Sequence, residues 1–196
     1  MRSYVTKVVN TSIFAEFMNI ISVRNSIFTL LFVGLIGCSS AHSQKKTKTT
    51  QKDPDTPAQY VQQATFTTFN GEKVSLSDYK GKVVMIDFWE TWCKPCIDSF
   101  STLEKLQKEY PKKFKVLAVN PGFSDSKSDA ETFAKNHDYT FTYLLDSGDL
   151  HSKLNIQGIP YKVFVDPSGK FIKTMMGSHG PEADYRSIKS VIEKHS

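Results

Sequence analysis

The segment that decides the fold runs from Lys82 to Leu106 and reads KVVMIDFWETWCKPCIDSFSTLEKL. It opens with a nearly continuous apolar run, which is typical of a central strand that is covered on both faces. It closes with apolar residues at every third or fourth position, which indicates one face of a helix. Between the two lie Cys93 and Cys96. The sequence therefore predicts a strand that delivers two cysteines to the N-terminus of a helix.

A Cys-x-x-Cys pair serves as a redox disulfide, as half of a zinc site or in metal transfer. A structural zinc site needs four ligands, but the chain has three cysteines in all and its histidines lack the His-x₃₋₅-His spacing. Redox chemistry is therefore the favoured use, and we expect neither a metal nor a cofactor.

The position of each cysteine predicts its role in thiol–disulfide exchange. Cys93 precedes the helix, where free backbone N–H groups and the helix dipole stabilise a thiolate. Lys94 adds a positive charge, and Pro95 is tolerated because the first turn has no intrahelical acceptors to lose. Cys96 lies one turn further in and is expected to be more covered. We therefore expect Cys93 to attack a partner disulfide and Cys96 to resolve the mixed disulfide.

The rest of the composition excludes some functions. The net charge of +5 comes largely from an early lysine-rich segment without interleaved aromatic residues, so nucleic-acid binding is not expected. The chain is long enough for one well-buried domain and a tail. Three cysteines are too few for a structural disulfide framework, which leaves Cys38 as a candidate for covalent modification.

The first 37 residues are interpreted as a signal peptide. The apolar stretch at residues 27–36 is too short for a membrane span, which needs about 20 residues, but it suits a secretion signal. It ends in Leu35-Ile36-Gly37-Cys38, which resembles the lipobox of bacterial lipoproteins and implies lipidation of Cys38. An ordinary signal peptide with an incidental cysteine is the alternative. The long stretch before Met18 leaves open whether translation starts at Met1 or Met18.

Residues 38–63 are predicted to be the lipidated cysteine and a disordered linker, because they contain almost no aliphatic residues. A flexible coil of this length spans on the order of 25–30 Å. The folded domain is predicted at residues 64–196. Alternating apolar runs and amphipathic segments predict an α/β fold, a mixed central sheet flanked by helices. The expected strands are 65–69, 73–75, 83–89, 114–119, 141–145, 161–165 and 170–176, and the first two form an N-terminal β-hairpin extension around Asn70-Gly71.

Three motifs together resemble thioredoxin-fold proteins. They are Asp87-Phe88-Trp89-x-x-Trp92-Cys93-x-Pro95-Cys96, Gly158-Ile159-Pro160 and Asp166-x-x-Gly169. With the secretion signal and the leading hairpin, the resemblance narrows to the TlpA/ResA-like branch of extracytoplasmic thiol–disulfide oxidoreductases. It implies a thioredoxin-like fold, a redox-active Cys93–Cys96 disulfide and a cis peptide bond before Pro160.

The resemblance also implies roles for residues around the cysteines. Asp87 corresponds to a buried acid that accepts the proton of the second cysteine; an ordinary strand-end carboxylate is the alternative. Trp92, Lys94, Pro95, Ile159 and Pro160 are implied as substrate-binding residues.

Two more side chains of the motif carry expectations. Trp89 and Trp92 are expected in the surround of the active site, and a purely core role is the alternative. Glu90 is expected on an exposed turn, as a modulator at most.

Two serines and a tyrosine depart from the pattern of relatives that mature cytochromes. Ser99 and Ser101 replace a glutamate and a proline, and Tyr161 replaces a threonine. The sequence thus predicts exchange chemistry without naming a pathway.

The predicted function is an extracytoplasmic thiol–disulfide oxidoreductase that reduces disulfides of exported proteins. The alternatives are a peroxiredoxin-like peroxidase and a non-catalytic module that binds a client or a metal. The expected location is a bacterial membrane, with the lipid on Cys38 as anchor and the domain facing the periplasm. The resemblance implies a membrane thiol protein as electron donor, and the chain is expected to be a monomer.

Overall fold

Residues 56–196, the part of the chain that the computed structural model describes, form a seven-stranded mixed sheet with helices on both faces. The strands are β1 (Thr65–Thr67), β2 (Lys73–Ser75), β3 (Val83–Phe88), β4 (Phe114–Asn120), β5 (Thr142–Leu145), β6 (Tyr161–Val165) and β7 (Phe171–Met176). The helices are α1 (Pro57–Gln62), α2 (Lys94–Glu109), α3 (Lys127–Lys135), α4 (Leu150–Lys153) and α5 (Pro181–His195), with a 3₁₀ turn at Leu76–Tyr79.

The strand order is β2-β1-β5-β4-β3-β6-β7. The central strands β3, β4 and β5 are parallel to one another. Strand β6 is antiparallel to β3, and β7 is antiparallel to β6. At the other edge β1 and β2 pair as an antiparallel hairpin. The predicted mixed α/β sheet and its N-terminal hairpin are confirmed.

Every residue of β3 is buried, as its apolar run predicts. Successive side chains alternate between the two faces of a strand. Met85 therefore joins the core cluster that contains α2, α5 and both cysteines. Ile86 and Phe88 join the cluster on the opposite face, which also contains residues of α1 and α4. Because β3, β4 and β5 are parallel, their C-terminal ends lie at the same end of the sheet. The antiparallel β6 begins at that end.

A helix, α1, lies before Ala64, inside the stretch predicted to be a linker. Helix α1 starts at a capping box, in which Thr56 and Gln59 accept each other's backbone N–H groups. Its Val61 has 0% exposure in the second core cluster. A single well-placed aliphatic residue anchors this short helix, which a low aliphatic content does not predict. The predicted signal peptide, Cys38 and the rest of the linker lie outside the described residues.

Two smaller findings concern the ends of elements and the length of the helices. The 3₁₀ turn is capped at Ser75, where the Asp78 carboxylate accepts the Ser75 N–H at 2.8 Å. No helix within residues 56–196 has the length and apolar character required to cross a membrane.

Candidate active site

The two cysteines lie at the start of α2, just after the connection from β3. Cys93 occupies the N-cap of α2, and its Sγ is bonded to that of Cys96, with the two Cα atoms 5.3 Å apart. Cys93 is 2% exposed and Cys96 is fully buried. A partner must therefore approach the disulfide across the residues that border it.

The helix N-terminus interacts directly with the first sulfur. The backbone N–H of Cys96 donates to Cys93 Sγ at 3.3 Å, a contact that stabilises a thiolate at this position. The charge of Lys94 is less available than the sequence suggests, because its Nζ lies 2.6 Å from a carboxylate oxygen of Asp98. Backbone groups of α2 therefore contribute to thiolate stabilisation while Lys94 is shared with Asp98.

Ser99, one of the departures from the cytochrome-maturation pattern, makes a hydrogen bond within α2. Ser99 is buried in the first turns of α2, and its hydroxyl donates to the backbone carbonyl of Cys96 at 2.7 Å. A glutamate at this position would lose that contact, whereas Ser101 is exposed to solvent.

The start of β6 lies beside the end of β3. The peptide bond between Ile159 and Pro160 is cis, as the resemblance implies, and Tyr161 lies opposite Phe88 in the antiparallel register. Ile159 packs against the core cluster that contains both cysteines. The topology thus brings the proline motif to the end of the sheet at which the disulfide lies.

The remaining predicted substrate contacts border the cysteines in the sequence. Trp92, Lys94 and Pro95 are exposed. Trp89, expected beside them, is instead fully buried. Its ring packs against Phe100 and Phe133 with centroid distances of 5.4 and 4.8 Å. That residue supports the site from within the core.

Asp87 faces a buried lysine that sequence reasoning missed. Asp87 and Lys162 are opposite each other in the β3–β6 register, and their side chains are 0% and 1% exposed. Lys162 Nζ lies 3.4 Å from Asp87 Oδ1. The pair lies on the sheet face that carries the cysteines, because Asp87 is two residues from Met85 in β3 and their side chains point to the same face. The signal available in the sequence was a charged residue in the middle of the apolar strand Tyr161-Lys162-Val163.

The environment of Asp87 favours its protonated form. Burial raises the pKa of the Asp87 carboxyl above its usual value, the nearby Lys162 opposes that rise, and the charge of Asp184 adds to it. A buried carboxyl with a raised pKa on the sheet face of the cysteines is suited to accept and return a proton.

Glu90 is fully buried, so the prediction that it lies on an exposed turn is wrong. Its Oε2 accepts the indole N–H of Trp92. Its Oε1 accepts the backbone N–H groups of Ser124 at 3.0 Å and Asp125 at 3.4 Å. The turn folds beneath the loop between β4 and α3, whose amides need an acceptor there.

Asp125 provides a second link between the same segments. Its carboxylate accepts the backbone N–H and the hydroxyl of Thr91, both at 2.7 Å, and the side-chain amide of Asn120 at 2.8 Å. Thr91 and Asp125 are 34 residues apart, so no local pattern predicts the contact. Within residues 56–196 no three histidine, cysteine, aspartate or glutamate side chains gather as possible metal ligands.

Comparison with known proteins gives a family and several relatives. The sequence model of the AhpC/TSA family matches residues 39–174. Thioredoxin-like protein YneN of Bacillus subtilis is 42% identical over 103 residues, which are 52% of this chain and 61% of YneN. The chain thus spans less than two thirds of that relative.

Two further relatives are covered more completely. Thiol-disulfide oxidoreductase ResA of Geobacillus kaustophilus is 32% identical over 127 residues, which are 64% of this chain and 72% of ResA. The crystal structure of an exposed lipoprotein thioredoxin from Streptococcus pneumoniae is also 32% identical, with a TM-score of 0.55 over 64% of this chain and 97% of that one.

Proposed function

The chain belongs to the AhpC/TSA family, and we propose that it is an extracytoplasmic thiol–disulfide oxidoreductase that reduces disulfides of exported proteins. The observation that carries the proposal is the Cys93–Cys96 disulfide at the N-terminus of α2, with Ile159 and Pro160 at the same sheet edge. The relatives named thiol-disulfide oxidoreductase and lipoprotein thioredoxin support it.

The reaction transfers two electrons from the cysteine pair to the substrate disulfide. The Cys93 thiolate attacks one substrate sulfur, the substrate S–S bond breaks, and a mixed disulfide forms while one substrate thiolate leaves. The Cys96 thiolate then attacks Cys93 Sγ and releases the second substrate sulfur. The enzyme is left with its Cys93–Cys96 disulfide, and a membrane thiol protein reduces it again.

Asp87 accepts the proton that Cys96 must lose before it attacks. Its burial on the sheet face of the cysteines and its raised pKa support this role. Lys162 stabilises the carboxylate form that results. The two side chains together hold and release one proton without solvent contact.

The substrate docks on the residues that border the disulfide. Trp92, Lys94 and Pro95 contribute from the β3–α2 side, and Ile159 presents its backbone from the start of β6 next to Pro160. The lipid on Cys38 tethers the domain outside the cytoplasm, where exported proteins carry disulfides.

Insulin reduction with dithiothreitol as electron donor tests the proposal. We expect Cys93→Ser to abolish the reaction, because the attacking sulfur is lost, and Cys96→Ser to accumulate mixed disulfides that non-reducing gels detect. Cys38→Ser serves as the matched cysteine control with the activity of the wild type. Full activity of Cys93→Ser would contradict the mechanism, and so would peroxide consumption or copper binding without disulfide reduction.

A further inference from the structure

The exposed apolar surface of the described residues is concentrated at one end of the sheet. Among residues 56–196 the large hydrophobic side chains that are exposed are Trp92, Phe123 and Met176, at 57%, 43% and 60%. Trp92 precedes Cys93, Phe123 lies in the loop after β4, and Met176 pairs with Tyr161 at the start of β6. All three therefore lie at the end of the sheet that carries the disulfide.

One buried carboxylate links Trp92 to the loop that bears Phe123. Glu90 accepts the indole N–H of Trp92 with one oxygen and the backbone N–H of Ser124, which follows Phe123, with the other. Glu90 has 0% exposure. A buried carboxylate needs hydrogen-bond donors to offset its desolvation, and here the donors belong to the exposed surface above it.

The second carboxylate fixes the same two segments to each other. Asp125 accepts two hydrogen bonds from Thr91 and one from Asn120. Charge-assisted hydrogen bonds of this length are about twice as strong as neutral ones. We call Glu90 and Asp125 the carboxylate bridge. It joins the β3–α2 connection, which bears Trp92, to the β4–α3 loop, which bears Phe123.

We propose that the carboxylate bridge positions Trp92 and Phe123 as a fixed apolar docking surface for polypeptide substrates, with Glu90 as the positioning residue. This rests on the proposed function, thiol–disulfide exchange at Cys93. Because Cys93 is 2% exposed, a disulfide in a polypeptide must dock on neighbouring surface before it reacts. A pre-arranged aromatic surface lowers the entropy lost on docking, whereas a small disulfide gains little from it.

Glu90→Gln tests the proposal, because the glutamine amide replaces one carboxylate oxygen with a donor. Either the Trp92 indole or the Ser124 amide then loses its acceptor. We expect kcat/KM for insulin to fall about tenfold more than kcat/KM for the small disulfide dithiobis(nitrobenzoate), the effect of one charge-assisted hydrogen bond. Glu131→Gln, which removes a carboxylate from the surface of α3, is the matched control and keeps both rates.

A spectroscopic measurement separates positioning from a general loss of structure. Trp92 and Trp89 each contribute one indole N–H resonance in ¹H–¹⁵N spectra. We expect Glu90→Gln to move the Trp92 resonance upfield, and the resonance of the buried Trp89 to stay in place. Trp92→Phe keeps an aromatic ring but removes the indole donor, so its effect and that of Glu90→Gln on insulin reduction are expected to be less than additive.

The outcomes distinguish this inference from the function on which it rests. A wild type that reduces neither insulin nor the small disulfide contradicts the proposed function. An active wild type whose Glu90→Gln variant loses both rates equally, or neither, overturns the positioning role. Strict additivity of Glu90→Gln and Trp92→Phe overturns it as well.

Discussion

At the scale of single residues, Asp87 and Lys162 form a buried pair whose charged forms carry a large desolvation penalty. Both side chains are fully buried, and neither carboxylate oxygen nor Nζ makes a hydrogen bond to another described residue. Their mutual attraction has to offset the desolvation of two charges. A buried ion pair contributes little to stability, which is consistent with the proton-accepting role proposed for Asp87.

At a pH above the raised pKa of Asp87, we expect Lys162→Met to lower the free energy of unfolding by about 3 kcal/mol, because the Asp87 carboxylate is then buried without a counter-charge. The double variant Asp87→Asn/Lys162→Met is expected within about 1 kcal/mol of the wild type, because both charges are removed together. Urea denaturation of the oxidised proteins measures both. Lys173→Met, on the exposed side of β7, is the matched control. Equal stability of both variants would contradict the pairing.

The pH dependence of stability follows from the raised pKa of Asp87. The folded chain keeps the Asp87 proton in a pH range where the unfolded chain, with a pKa near 3.8, has released it. The free energy of unfolding therefore falls as pH rises from about 4 through the raised pKa. We expect Asp87→Asn to remove this fall, which denaturation at a series of pH values measures. An unchanged slope in the variant would show that Asp87 does not titrate in this range.

At the scale of elements, Gln107 of α2 completes the sheet where β5 has not yet begun. Its side-chain carbonyl accepts the Val116 N–H of β4, and its amide donates to the Thr140 carbonyl, both at 2.7 Å. The pairing of β4 with β5 starts only at Leu117 and Thr142. The glutamine thus supplies the partners that a longer strand would have supplied.

Gln107→Met keeps the length of the side chain but leaves the buried Val116 N–H without a partner, whereas the Thr140 carbonyl still accepts Lys115 Nζ at 3.1 Å. We expect the substitution to lower the free energy of unfolding by about 2 kcal/mol, the usual effect of one unpaired buried polar group. Ser101→Ala, at an exposed position of the same helix, is the control and is expected to be neutral. Thermal unfolding of the oxidised proteins checks both, and a neutral Gln107→Met would show that water replaces the contact.

Helix α1 docks on the domain through the buried Val61, with the partly buried Tyr60 packed against the same core cluster. Val61 shares a core cluster with Phe66 of β1 and Leu150 of α4. We expect Val61→Ala to lower the free energy of unfolding by about 2 kcal/mol, and Gln62→Ala, at the exposed neighbour, to leave it unchanged. Urea denaturation distinguishes them. Equal effects of the two substitutions would show that α1 does not contribute to the core.

At the scale of the whole molecule, the sequence predicts features whose cause is local. The turn at Asn70-Gly71 is confirmed because Gly71 takes the positive φ that this turn requires. The apolar run of β3 and the cysteine motif at the start of α2 are confirmed for the same kind of reason. Each depends on residues close together in the chain.

The sequence does not predict the contacts between segments that are distant in the chain. Glu90 is buried because amides 34 residues away need an acceptor, and Lys162 is tolerated in β6 because Asp87 lies opposite. The burial of Val61 likewise depends on a surface formed by β1 and α4. Periodicity describes which face of one element is apolar, but the partner of that face is set by the topology.

The tether proposed at Cys38 makes a prediction for the whole chain. A covalent lipid contributes about 0.8 kcal/mol per buried methylene group to membrane binding, and the described domain has no helix that would span a membrane. We therefore expect Cys38→Ser to move the protein from the membrane fraction of a bacterial host to the soluble fraction and to abolish labelling by palmitate. Because the cysteine pair lies in the domain of residues 56–196 and does not include Cys38, insulin reduction per molecule is expected to be unchanged. A Cys38→Ser protein that stays with the membrane would show that an uncleaved signal segment, rather than a lipid, is the anchor.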